Sequence, residues 1–199
     1  MRARYRFWER YDDYVDLITS SPVDGFISEG MWWAYNGRWF TLQEWREALD
    51  FQVWVQDNFL TSKKLFWMDV ALKDGTLPAG CTHYQMIDYA FASSLLGARN
   101  QNNYIAFLKS YRRENWLGTV MDYVQNLHSL VIGEPLSDYY QIEGTDVYAR
   151  DFTNVKVLVN PTADSYTINL DGNFKTLEDE EISVVTLNSH TGTILKVLN

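Results

Sequence analysis

Two patterns in succession predict an α/β chain: a partial (β/α) barrel followed by a small antiparallel β-sandwich domain. In the first, short apolar strands alternate with amphipathic helices, the grammar of βαβ units around a parallel sheet. In the second, which begins near Val131, apolar and polar residues alternate in short runs separated by turn residues, with no helix between them. The boundary falls between residues 1–135 and 136–199.

Phe7, Tyr11, Val15 and Ile18 recur near the helical period until Ser20-Ser21-Pro22 breaks the run. Val23 to Trp33 follows, a strand that stops at Glu29-Gly30 and opens into Met31, Trp32 and Trp33, with Asn36-Gly37 as the turn of the loop. Thr41-Leu42-Gln43-Glu44 is a capping box, and its helix carries Leu42, Trp45, Leu49 and Val53 to about Phe59. Lys64 to Val70 reads as a second buried strand. A Gly/Pro-containing loop from Lys73 to Gly80 leads to a second capping box, Thr82-His83-Tyr84-Gln85. Its helix buries Tyr84, Ile87, Phe91 and Leu95, with Gly97 as its C-terminal terminator. Tyr104 to Leu108 is a third strand, and Trp116, Val120, Val124 and Leu127 fit a last helix. Beyond the turn Ile132 to Pro135, strands follow through Val155, Val157 and Val159, through Tyr166, Ile168 and Leu170, and through Ile182, Val184 and Thr186. Their turns are expected at Asn160-Pro161, Asp171-Gly172 and His190 to Gly192, and the acidic run Glu178 to Glu181 is expected to cap a hairpin in water.

A net charge of -9 argues against nucleic acid or an anionic membrane surface as a partner. No apolar run approaches a membrane span, and the first thirty residues lack the apolar middle of a signal peptide. The single cysteine, Cys81, excludes an internal disulfide, and His83, His128 and His190 lack metal-ligand spacing, so no metal or cofactor is expected. Eight Trp, thirteen Tyr and ten Phe exceed what a core of this size needs, and flat aromatic faces are what sugar rings stack on.

Several segments resemble, in order, the TIM-barrel glycoside hydrolases with a C-terminal β domain. Val23 to Glu29 is similar to a D-G-F/V-x-x-E strand, Tyr89 to Gly97 to a helix ending in S-x-L-L-G, and Ile132 to Tyr139 to a G-x-P linker. Arg150-Asp151-Phe152 matches an R-x-F strand, Val155 to Thr162 a V-L-V-N-P strand, and Thr167 to Gly172 an L-x-G turn. The resemblance implies a TIM-type barrel, of whose eight strands about three precede the β domain here, and activity on O-glycosidic bonds of an oligo- or polysaccharide. A partial barrel exposes strand edges, so a second copy or a chain supplying the missing half is the partner it implies.

Glycoside hydrolysis requires a carboxylic acid and a carboxylate about 5 to 9.5 Å apart. Glu29 and Asp69, at or near strand ends that right-handed crossovers bring to one face, are the candidate catalytic pair. Asp24, Trp32, Trp33, Tyr35, Asn36 and Arg38 are the candidate sugar-binding residues on the adjoining strand and loop. Each has an ordinary competing role: Glu29 in a salt bridge, Asp69 as a loop cap, Asp24 in a turn, the aromatics in the core. A non-catalytic carbohydrate-binding or interaction module is the alternative function.

Overall fold

The computed structural model describes residues 25–29, 31–34, 37–59, 65–72, 77–99, 103–108 and 119–198. The expected helix over Arg6 to Thr19 and the candidates Asp24, Tyr35 and Asn36 lie outside these residues. Three strands, β1 (Gly25–Glu29), β4 (Leu65–Ala71) and β5 (Asn103–Leu108), form a parallel sheet in the order β1-β4-β5. Helix α1 (Leu42–Phe59) connects β1 to β4, and α2 (His83–Leu96) connects β4 to β5. Helix α3 (Thr119–His128) follows. The strand and helix alternation read from the sequence is therefore present. The aromatic loop adds a short hairpin, β2 (Trp33–Ala34) paired with β3 (Arg38–Trp39), turning at Gly37 with φ 74°.

Strands β6 (Tyr140–Gln141), β7 (Tyr148–Asp151), β8 (Val155–Asn160), β9 (Tyr166–Lys175), β10 (Glu181–Leu187) and β11 (Thr191–Val197) build one antiparallel sheet, ordered β10-β9-β11-β8-β7-β6. The sequence suggested two packed sheets. Instead one sheet turns over on itself, because β9 joins β11 only through Lys196↔Lys175 and Val197↔Phe174. Asp171-Gly172 does not end a strand: Gly172, at φ 139°, bends β9 in mid-course, opposite a register shift between Ile182 and Val184. Val147, Ala149, Leu158 and Leu195 point to the layer folded over by Ile168, Leu170 and Phe174. Tyr148, Val155, Val157, Val159 and Ile194 face the helices and join the main core.

Helix α2 is the hub of that core. Its side chains from Met86 to Leu96 are almost all buried, as they must be in a helix enclosed by other elements on every side. The sheet packs against it through β11, β8 and β7. Gly192 makes the approach possible, since a Cβ there would lie 2.6 Å from the Ala92 Cβ and 2.7 Å from the Asp88 carbonyl oxygen.

Gly97 ends α2 as the sequence expects, and does so in the right-handed region, at φ -90°. Its small size also serves packing, because a Cβ would stand 2.6 Å from the Gln52 Oε1. The last carbonyls of a helix need donors from elsewhere. Here Gln52 donates to Ser94 O at 2.7 Å and Gln56 to Gly97 O at 2.7 Å. Arg150 on β7 donates to the carbonyls of Leu95, Leu96 and Ala98 at 3.2, 2.8 and 2.5 Å. Three buried side chains from two elements thus complete what the helix leaves open.

The linker-like turn is also docked. Glu134 N–H donates to Thr153 Oγ1 at 3.0 Å, Pro135 bridges Phe152, and a Cβ on Gly133 (φ 83°) would collide with Thr153 Oγ1 at 2.0 Å.

Candidate functional site

The register of the parallel sheet is Glu29↔Asp69 between β1 and β4 and Asp69↔Ala106 between β4 and β5. The two carboxylate residues are therefore direct neighbours on adjacent strands, with Glu29 the last residue of β1 and Asp69 two residues before the end of β4. Strands in a sheet lie about 4.8 Å apart, so the backbone sets the pair at a short fixed spacing. The parallel direction puts both near the same, C-terminal, edge of the sheet.

The residues after Glu29 build a buried aromatic support. Met31 and Trp32 are wholly buried, and Trp32 stands 6.4 Å from Trp45, ring centre to ring centre. Trp32 takes φ 77°, a conformation that costs a bulky residue energy and is held only by its surroundings. The expectation that Trp32 offers an open face to a sugar is corrected: it packs as core. Trp33 lies in β2, paired with Trp39. Trp39 in turn stacks on His190 from the antiparallel sheet, with centroids 4.6 Å apart and planes 6° from parallel, and meets Tyr89 edge-on at 5.1 Å. His190 is buried, and desolvation lowers its pKa to about 4, so a neutral imidazole faces the indole. The β10–β11 turn thereby braces the hairpin that follows Glu29. The sequence marked His190 as a turn residue but not as a partner of Trp39; their contact joins residues some 150 apart, beyond any local pattern.

Arg38 is likewise committed. Its guanidinium makes a bidentate pair with Glu44, with both N–O distances 2.7 Å, and also donates to Trp39 O. This pair braces the start of α1. The Thr41-Glu44 capping box is present as expected: Glu44 N–H donates to Thr41 Oγ1 at 3.2 Å and Thr41 N–H to Glu44 Oε2 at 2.9 Å. The second box is half formed. Gln85 N–H reaches Thr82 Oγ1, but the Gln85 side chain donates to the carbonyls of Ser189 and His190, tying α2 to the same bracing turn.

Arg38, opposed by burial and aided by Thr41, lowers the Glu44 pKa from 4.5 to about 2. A carboxylate whose folded pKa is depressed contributes stability above its unfolded pKa and loses it as pH falls through the folded one. Glu44→Gln is therefore expected to cost about 1–2 kcal/mol at pH 7. The difference from wild type should shrink as pH falls from about 4.5 towards 2, read as urea-unfolding midpoints across that range.

No family model matches the chain, and no curated protein matches it. Solved structures do. Alpha-galactosidase I from Mortierella vinacea superposes with a TM-score of 0.51 at 12% identity, covering 94% of this chain and 55% of that one. The chain resembles that alpha-galactosidase in fold. An alpha-amylase from Geobacillus thermoleovorans, solved with acarbose, aligns over 77% of this chain and 43% of its own, at 13% identity and TM-score 0.44. The chain thus spans about half the length of these structures, and the likeness to the alpha-galactosidase takes in parallel and antiparallel layers together. No helix among the described residues is long and apolar enough to cross a membrane.

Proposed function

We propose that this chain carries the C-terminal part of a (β/α) barrel with its β domain, and acts on O-glycosidic bonds through Glu29 and Asp69. The observation that carries the reading is the Glu29↔Asp69 register at the C-terminal edge of a parallel sheet. That edge is where barrel enzymes collect their catalytic groups. The strand spacing of about 4.8 Å is also close to the separation that paired carboxylates of glycosidases keep. One would protonate the leaving oxygen while the other attacks the anomeric carbon or activates water. Trp33, Asp24, Tyr35 and Asn36 would supply stacking and hydroxyl contacts. The chain covers 55% of the matched alpha-galactosidase, so the activity of a whole barrel is part of this proposal.

The test is hydrolysis of a panel of oligosaccharides, alpha-galactosides and alpha-glucans included, by the wild type, Glu29→Gln and Asp69→Asn. Loss of an acid or nucleophile is expected to lower kcat by at least about 10²-fold in each variant. Equal rates in all three would overturn the assignment. Binding of the panel without hydrolysis, unchanged in both variants, would favour a carbohydrate-binding module.

A further inference from the structure

A cavity of about 170 Å³ lies where α2, α3 and β11 meet the 176–180 turn, well away in sequence from the strand ends. Asp88 of α2 and Glu178 of the turn both line it, and among the described residues no lysine, arginine or histidine does. Tyr123 of α3 donates its hydroxyl to Asp88 Oδ1 at 2.5 Å, and Tyr84 meets the Tyr123 ring edge-on at 5.1 Å. Strand β11 contributes Gly192, Thr193 and Ile194, none of them titratable. The turn is pinned on its far side, where Lys196 bonds Leu177 O and Asp179 and Lys175 pairs with Glu181. Those lysines are spent on other groups, so among the described residues lining the cavity no cation answers Asp88 and Glu178.

We propose that this seam is a pH-responsive latch between the helical layer and the antiparallel sheet. When Asp88 is protonated, α3 and the 176–180 turn close on α2. When it is ionised, repulsion between the Asp88 and Glu178 carboxylates loosens the turn. Burial, and then the Glu178 charge, work against the Tyr123 bond and raise the Asp88 pKa from 3.8 to about 6. A raised folded pKa means that the contribution to stability is full below about 3.8 and is lost as pH rises through about 6. His128, at the end of α3 and edge-on to Phe91 at 5.4 Å, is another titratable group of this layer. Desolvation lowers its pKa, so it acts with the opposite sign, favouring the closed seam as pH rises.

The experiment is hydrogen exchange of backbone amides in residues 119–128 and 176–180 at pH 5 and pH 7.5, corrected for the intrinsic pH dependence of exchange. Wild-type protection is expected to fall about three- to tenfold at the higher pH. Asp88→Asn, nearly isosteric and still able to accept from Tyr123, should lose that fall and keep only the opposite-signed dependence of His128. Glu178→Gln, at an exposed position, should move the midpoint to lower pH. Wild-type protection that is constant or rises with pH, a fall that persists in Asp88→Asn, or an unmoved midpoint in Glu178→Gln would each overturn the latch.

Discussion

Arg150→Met is expected to cost about 3–5 kcal/mol, well beyond the loss expected from Glu44→Gln. The side chain is 2% exposed and answers four carbonyls, those of Leu95, Leu96 and Ala98 at the end of α2 and that of Ser137 through Nε at 2.9 Å. Its guanidinium also lies 5.1 Å from the centre of the Phe152 ring. Met fills much of the same volume and removes all of the donors, leaving carbonyls that water cannot readily reach. A cation at a helix C-terminus also loses its interaction with the helix dipole, worth up to about 2 kcal/mol when partly buried. For a chain of this length each kcal/mol lowers the melting temperature by roughly 2–4 °C, so a fall of roughly 6–20 °C is expected by circular dichroism. Arg150→Lys keeps the charge but loses the planar fork, and should recover only part of the loss. Equal melting temperatures in all three proteins would show that the helix end draws its donors from elsewhere.

That role explains why an R-x-F strand and an S-x-L-L-G helix occur in one sequence: the arginine of the first closes the end of the second. The sequence contained both segments but not their pairing, because the bonded groups lie more than fifty residues apart. What was legible was local. The Thr41-Glu44 box, the helix periods and the alternation of strand with helix each show in residues close together in the chain. Features settled by distant partners were not legible. Gly97 was legible as a helix terminator, but its close approach to Gln52 was not. Asp171-Gly172 looked like a turn, since nothing local distinguishes a turn from a glycine that bends a long strand. Trp32 looked like a sugar platform, yet Trp45 and the rest of the core enclose it. The candidate pair was read from strand ends alone, and the register that makes Glu29 and Asp69 neighbours is a property of pairing between strands that no single segment encodes.

Asn160→Asp should be more damaging than Asn160→Ala, although it changes only one atom's chemistry. Asn160 is completely buried at the end of β8, where Pro161 holds the preceding residue in extended backbone. Its amide nitrogen faces the carbonyls of Asp164, Asn188 and Leu187 at 2.7, 2.8 and 3.3 Å, joining the loop after β8 to the end of β10. Its Oδ1 accepts from Thr162 N–H at 3.0 Å and Thr162 Oγ1 at 2.8 Å, an Asx turn that sets the direction of the chain after the strand. Alanine deletes these bonds and leaves the carbonyls unanswered, an expected loss of about 2–4 kcal/mol. Aspartate keeps the Thr162 contacts but turns an ionised oxygen, with nothing to donate, towards three carbonyl oxygens in a site closed to water. Burial and those oxygens must both raise the pKa of the introduced carboxyl above its ordinary value. Because the folded state then binds the proton more tightly than the unfolded one, stability should rise as pH falls through the folded pKa. Unfolding by urea at pH 8 and at pH 4.5 checks this. Asn160→Asp is expected to rank below Asn160→Ala at the higher pH and to gain on it at the lower, where the protonated carboxyl regains one donor. The same ranking at both pH values would mean that the loop relaxes to let water reach the carboxylate.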